Sequence, residues 1–269
     1  MSSPAAPDRA DRTEPAGRAN RADHSDQRDR PGRADRPDQA DRPEHRTGEG
    51  RVDRTHRTPI WIGLQQICRM VTTVGFDLKV YGAYNVPRIG GALLVSNHQS
   101  YLDPVLLAIG LDRTLSFMAK AELFKNPVFA WLIRSLNAFP VSQGAGDVGA
   151  VRESIARLHE GHLLNVFPEG SRTENGEMMP MEKGVGLVIR RAKVPIIPAA
   201  ISGSFEAWPK GQKFPHLRPI RVAIGPPMND LWKKDRDEII STINGTLRRM
   251  YADLRAGRRS PNVPRPPGR

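Results

Sequence analysis

From Pro59 to Leu254 the chain alternates short apolar runs with stretches of helical periodicity, and this alternation constrains its fold more than any other feature. Strands are predicted near 77–82, 92–96, 115–119, 137–141, 163–167, 196–202 and 219–224. Between them the spacing predicts helices near 101–110, within 121–135, near 148–160 and near 184–192. That order describes an α/β fold, a single domain with a mostly parallel central sheet flanked by helices. A last helix, roughly 235–255, places Ile239, Ile240, Ile243, Leu247, Met250, Tyr251 and Leu254 on one face, which should pack on the sheet.

What precedes Pro59 has no means of joining such a core. Apart from Met1 and Val52, residues 1–58 contain no Val, Ile, Leu, Met, Phe, Trp, Tyr or Cys, and they hold 13 Lys+Arg against 12 Asp+Glu. This composition reads as a disordered polyampholyte tail. Residues 257–269, with four Arg and no acid, read as a second, basic and Pro-rich tail. Residues 59–256 are then one domain, long enough to bury a sizeable core.

The net charge of +12 divides as +1 on the long tail, +7 on the domain and +4 on the short tail. A nucleic-acid partner is not expected, because aromatics are only 6% of residues, the long tail is nearly neutral and no reading motif is present. Cys68 is the single cysteine, which rules out an intramolecular disulfide and a multi-cysteine metal site and fits a reducing compartment. There is no N-terminal apolar stretch of a secretory signal, nor a run of ~18 apolar residues to span a bilayer, so the expected location is cytosolic or peripheral to a membrane. Ile60, Leu64, Ile67, Val71 and Val74 recur at steps of four and three and predict an amphipathic helix over 60–74. Its apolar stripe either covers the core or lies in a membrane interface.

Two strand exits carry the chemistry. Leu93-Leu94-Val95-Ser96-Asn97-His98-Gln99-Ser100-Tyr101-Leu102-Asp103-Pro104 leaves a buried strand for a helix start, and ligand sites of open parallel sheets lie beyond such ends. His98 and Asp103 cannot share one face of a continuous helix, since five steps of about 100° leave them about 140° apart. Ser100 is placed to cap a helix starting just after it, with Asp103 reaching back as in a capping box. The carboxylate then either orients His98 as a general base or serves only the helix start. At the second exit, Phe167-Pro168-Glu169-Gly170-Ser171-Arg172-Thr173, Glu169 and Arg172 are either a surface ion pair or part of a site. In a site, Arg172 offers planar donors for a phosphate, and Gly170 permits close backbone approach.

Together these segments resemble the glycerolipid acyltransferase family, typified by the 1-acylglycerol-3-phosphate acyltransferases. Asn97-His98-x4-Asp103 matches the family's Asn-His-x4-Asp block, and Phe167-Pro168-Glu169-Gly170-Ser171-Arg172 its Phe-Pro-Glu-Gly-Thr/Ser-Arg block. Lys120-Ala121-Glu122-Leu123 resembles its Lys-x-Glu-Leu segment, and Val194-Pro195-Ile196-Ile197-Pro198 its hydrophobic Val-Pro-Ile-x-Pro block. The resemblance implies that His98 is the catalytic base and Asp103 its support. It implies a substrate-binding set of Asn97, Lys120, Glu169, Gly170, Ser171 and Arg172, with Arg172 and Lys120 on the acceptor's phosphate. It also implies direct attack on the thioester of acyl-CoA or acyl carrier protein, with no metal and no bound cofactor. The implied partners are a lysophospholipid acceptor and an anionic membrane surface, on whose cytoplasmic face the protein sits peripherally. One block departs from the pattern: where relatives often carry an Asp-Arg pair, Phe139-Pro140-Val141 continues into Ser142-Gln143. The acceptor implied first is 1-acylglycerol-3-phosphate. The alternatives are glycerol 3-phosphate, another lysophospholipid, or a membrane-binding module with altered chemistry.

Overall fold

Each of the seven expected strands forms, and all of them join one sheet. The structure is a computed structural model that describes residues 59–135, 137–141 and 148–258. The expectations for residues 1–58, for the tail beyond Arg258 and for Ser142-Gln143 lie outside these residues. The strands are β1 (Lys79–Tyr81), β2 (Ala92–Ser96), β3 (Leu115–Lys120), β4 (Ala138–Val141), β5 (Leu163–Val166), β6 (Ile196–Ser202) and β7 (Arg221–Ile224). Their order across the sheet is β1-β7-β6-β2-β5-β3-β4. Pairing is parallel except between β6 and β7, so β1 and β7 run against the other five.

The continuous apolar character of the central strands follows from burial on both faces. Leu93, Val95, Leu164 and Ile196 point to one side, where they meet α4 (Val148–His159), α5 (Gly184–Ala192) and α7 (Arg236–Arg255). Ala92, Leu94, Leu163 and Ile197 point to the other, against α2 (Asp103–Gly110) and the end of α1 (Pro59–Phe76). Because strand side chains alternate, each neighbour in sequence serves the opposite layer. Gly91, just before β2, lies so close to α4 that a Cβ there would sit 1.9 Å from the Leu158 carbonyl oxygen.

A short helix, α6 (Ser204–Ala207), follows β6, and α7 packs as expected. Ile239, Ile243, Leu247, Met250, Tyr251 and Leu254 are buried, Ile240 packs half-buried at the margin, and the Asp235 carboxylate caps the helix by accepting from Glu238 N–H at 2.8 Å. The helical region within 121–135 splits into a 3-10 turn, Ala121–Phe124, and α3 (Pro127–Ser135). The break falls where the Asn126 side-chain Oδ1 accepts from Val128 N–H at 3.0 Å, ahead of Pro127 at the first helical position.

The apolar stripe of α1 does not cover the core. The helix turns Thr72 and Phe76 inward, with Gln65 and Cys68 half-buried beside them. The Gln65 amide donates to the carbonyls of Ala108 (3.1 Å) and Leu111 (3.3 Å), satisfying acceptors that the end of α2 leaves free. Ile67, Met70, Val71 and Val74 face outward, Val74 with 82% of its surface exposed. No helix among the described residues is long and apolar enough to cross a membrane.

Candidate functional site

β2 and β5 are neighbours, so the turns that leave their carboxyl ends meet. Past Ser96 the chain makes an irregular turn and enters α2 at Asp103, two residues later than a cap at Ser100 requires. Ser100 Oγ nevertheless accepts from Leu102 N–H at 3.2 Å, the bond expected of a cap at this position. The same hydroxyl donates to the Trp208 carbonyl at 2.7 Å, and the N-cap residue is Leu102, which makes no side-chain cap bond. The start of the helix is also organised by Asp103, whose Oδ2 accepts from Gln99 N–H (2.6 Å) and Ser100 N–H (2.7 Å).

The same oxygen lies 2.9 Å from His98 Nδ1. Asp103 is fully buried, while the His98 side chain keeps 18% of its surface exposed. With a carboxylate at Nδ1, the neutral ring carries its proton there and leaves the Nε2 lone pair free to accept one. Nε2 makes no hydrogen bond among the described residues. The ring is clamped on its flat side by Phe167, stacked with a centroid distance of 4.0 Å and an interplanar angle of 14°.

Glu169 joins the two turns. Its Oε1 accepts from the backbone N–H of His98 at 2.9 Å, and its Oε2 from Met179 N–H at 2.9 Å. The His98 carbonyl in turn accepts from Thr173 N–H at 3.1 Å, so the second turn holds the backbone of the histidine on both sides. Burial pushes the Glu169 carboxyl up to about 7, against the pull of the two amide N–H donors. Gly170 has φ +69°, and a Cβ there would press on Glu182 Cγ at 3.3 Å, which explains the glycine in this block.

Asn97 stands in the site's sequence block but spends its side chain elsewhere. It is fully buried, its carbonyl oxygen accepts from Ile201 N–H at 2.8 Å, and its amide donates to the Ile201 carbonyl at 2.9 Å. The side chain thus extends the β2–β6 pairing beyond its last rung, Ser96 with Ala199. Asn97 therefore braces the turn against β6.

Arg172 lies over Tyr101 with its guanidinium carbon 3.5 Å from the ring centroid, and the Tyr101 ring leans on Trp208 at 5.7 Å. One terminal nitrogen, Nη1, is buried with no acceptor. A cation stacked on an aromatic face with an unfilled donor suits an incoming anion. Ser171 is exposed at the same turn. Lys120 ends β3, two strands from β2 and opposite Val141 of β4; its side chain lies outside the described residues. Among the described residues no three His, Cys, Asp or Glu side chains gather as metal ligands would.

Several residues of the site were not singled out in the sequence. Gln99 donates to the Gly176 carbonyl (2.7 Å) and to the Tyr251 hydroxyl (2.9 Å), tying the first turn to the end of α7. Phe167, Thr173, Met179, Tyr101 and Trp208 complete the surround. Phe167, Thr173 and Tyr101 lie within or beside the two blocks, so their positions were in view. Met179, Trp208 and Tyr251 reach the site only through the fold, and no local spacing marks them.

The family described as Acyltransferase matches residues 77–202, a span that contains both turns. The 1-acyl-sn-glycerol-3-phosphate acyltransferase of Bacillus subtilis is 28% identical over 165 residues, covering 60% of this chain and 78% of that protein. The mouse 1-acyl-sn-glycerol-3-phosphate acyltransferase alpha is 31% identical over 162 residues, covering 58% of this chain and 56% of its own length. Among solved structures, the 1-acyl-sn-glycerophosphate acyltransferase PlsC of Thermotoga maritima superposes with a TM-score of 0.65 at 28% identity. That match covers 73% of this chain and 80% of the Thermotoga one.

Proposed function

We propose that this chain, an acyltransferase by family, moves a fatty acyl group from a thioester donor to the free hydroxyl of 1-acylglycerol-3-phosphate. The observation that carries the reading is the His98 Nδ1 to Asp103 Oδ2 contact of 2.9 Å. In this reading Nε2 of His98 takes the proton of the acceptor hydroxyl as its oxygen attacks the thioester carbonyl. The resulting imidazolium is stabilised by the buried carboxylate of Asp103. When the tetrahedral intermediate collapses, the thiol of the donor leaves and takes that proton from His98. No covalent acyl-enzyme is required, and proton transfer by a positioned base contributes about 10²- to 10⁴-fold. Arg172 receives the acceptor's phosphate with its unfilled Nη1 donor. Glu169 acts as a positioning residue through the His98 backbone rather than as a ligand. The donor is acyl-CoA or acyl carrier protein.

The relatives' names support this acceptor, and the orphaned donor of Arg172 supports an anionic one. The outward apolar stripe of α1 supports peripheral attachment to the membrane in which such an acceptor resides. A screen of labelled acyl-CoA against 1-acylglycerol-3-phosphate, glycerol 3-phosphate and other lysophospholipids tests the acceptor; preference for either of the latter two would overturn it. His98→Ala should fold as the parent does and lose acyl transfer, and turnover by the purified variant would reject the base.

A further inference from the structure

We propose that the loop from Trp208 to Pro219 is a second bilayer-docking element, which together with α1 sets the mouth of the site on an anionic membrane. This rests on the reading of the acceptor as a membrane lipid. The loop reads Trp-Pro-Lys-Gly-Gln-Lys-Phe-Pro-His-Leu-Arg-Pro, and no Asp or Glu occurs from Ala207 to Asn229. Residues 210–219 are all exposed, and the two large apolar side chains among them are nearly bare, Phe214 at 78% and Leu217 at 71%.

The exposure does not come from a frayed segment. His216 N–H donates to the Ala207 carbonyl at 2.7 Å, and the Trp208 indole N–H to the Gln212 carbonyl at 3.0 Å. At the base, Gly203 sits so near the returning strand that a Cβ would lie 2.1 Å from the Pro219 carbonyl oxygen. The backbone is therefore pinned while its apolar side chains point away from the protein. Lys210 is paired with Glu174, but Lys213 and Arg218 make no ion pair among the described residues. Unburied Phe and Leu beside unpaired cations match a bilayer interface, where apolar groups enter the acyl boundary and cations meet lipid phosphates.

The loop is continuous with both of the features it would serve. A Leu217 methyl carbon lies 3.3 Å from where a Cβ on Gly75 would be, next in sequence to the exposed Val74 of α1. On the other side the Trp208 carbonyl holds the Ser100 hydroxyl, and the Trp208 ring supports Tyr101 under Arg172. Apolar helix, cationic loop and phosphate donor thus form one connected surface. A lipid acceptor could enter the site from it while its phosphate stays at headgroup level.

The test is sedimentation of the full-length chain with phosphatidylcholine vesicles, with and without phosphatidylglycerol. Phe214→Ser with Leu217→Ser should lower binding to both vesicle types by about tenfold or more. Lys213→Gln with Arg218→Gln should lower it by about fivefold per charge, and only on the anionic vesicles. Phe214→Trp should bind at least as well as the parent, because Trp favours the interface. Turnover of a short-chain acceptor dissolved as monomers should be unchanged in the first pair, while turnover of long-chain acceptor in vesicles falls. Parental vesicle binding by the Ser and Gln variants would overturn the proposal. So would a dimer of the lipid-free parent that dissociates in the Ser variant while vesicle binding persists, since the surface would then belong to a second copy. A parent that binds vesicles through this loop but turns over no phosphate-bearing acceptor would reject the acceptor reading and leave the docking element standing.

Discussion

Replacing Asp103 by asparagine separates the charge of the dyad from its architecture. Three donors converge on one oxygen, Oδ2: His98 Nδ1–H, Gln99 N–H and Ser100 N–H. The other oxygen, Oδ1, is buried without a partner. An asparagine can keep its carbonyl oxygen at the crowded position and place its NH2 where Oδ1 was, so the turn and the histidine tautomer survive. What disappears is the negative charge facing the imidazolium. Two unit charges about 4 Å apart attract by about 4 kcal/mol at an effective dielectric constant near 20. At ~1.4 kcal/mol per tenfold, Asp103→Asn should therefore lower kcat by about 10³-fold, within the range for general base catalysis. The thermal midpoint should stay close to that of the parent. Asp103→Ala removes the acceptor altogether and strands the two backbone N–H groups of buried Gln99 and Ser100. At about 1–3 kcal/mol each, that variant should lose stability as well as activity. Initial rates of thiol release from acyl-CoA, with thermal melts of both variants, read the two effects. If Asp103→Asn retained more than a tenth of parental kcat, or lost as much stability as Asp103→Ala, the separation of charge from scaffold would be wrong.

Glu169 gives a pH signature. Its folded value of about 7 lies above the ordinary 4.5, so the folded state binds the extra proton between them. The contribution of this group to stability is therefore full below about 4.5 and is lost as pH rises through 7, by about 3 kcal/mol in all. Urea titrations from pH 4 to 8 should show this slope in the parent and not in Glu169→Gln. A parallel pair of stability curves would refute it. Tyr101→Leu removes the ring beneath Arg172 and, at about 0.5–2 kcal/mol for the stacked cation, should raise KM for the phosphate-bearing acceptor by about 2- to 30-fold with kcat kept. Tyr101→Phe should behave as the parent, and a fall in kcat at constant KM would count against the shelf. Val71→Asp with Val74→Asp places charge on the outward face of α1, so vesicle sedimentation should drop while the melting temperature holds.

The seven strands were legible because each is a short, mainly apolar run bounded by polar or Gly-containing turns; β2 and β6, buried on both faces, read as nearly unbroken apolar stretches. α7 was legible for a similar reason, its buried residues recurring at helical spacing. The start of α2 was not. The sequence offers Ser100 and Asp103 as a capping box, and both side chains take part, Ser100 Oγ accepting from Leu102 N–H and Asp103 Oδ2 from Ser100 N–H. The Ser100 hydroxyl also donates to the Trp208 carbonyl, a partner 108 residues distant, and regular helix begins only at Asp103. Asn97 escaped for the same reason. Its neighbour His98 marks it as part of a site, but its two hydrogen bonds go to Ile201, 104 residues on.

The sequence by itself determined the strand runs, the helices between them and the two blocks that hold His98, Asp103, Glu169 and Arg172, because these are patterns of neighbours. Local spacing also showed that His98 and Asp103 need a turn between them. Only the tertiary structure decided which groups spend their hydrogen bonds on scaffold and which are left without a partner. It braced Asn97 against β6, strung Glu169 between the two turns, and left an Arg172 nitrogen without a partner. It also decided the facing of α1. The sequence contains both an apolar stripe and a polar one, and which stripe turns inward depends on what the helix meets. Here it meets the carbonyl-rich end of α2, where the Gln65 amide satisfies acceptors that an isoleucine would leave bare.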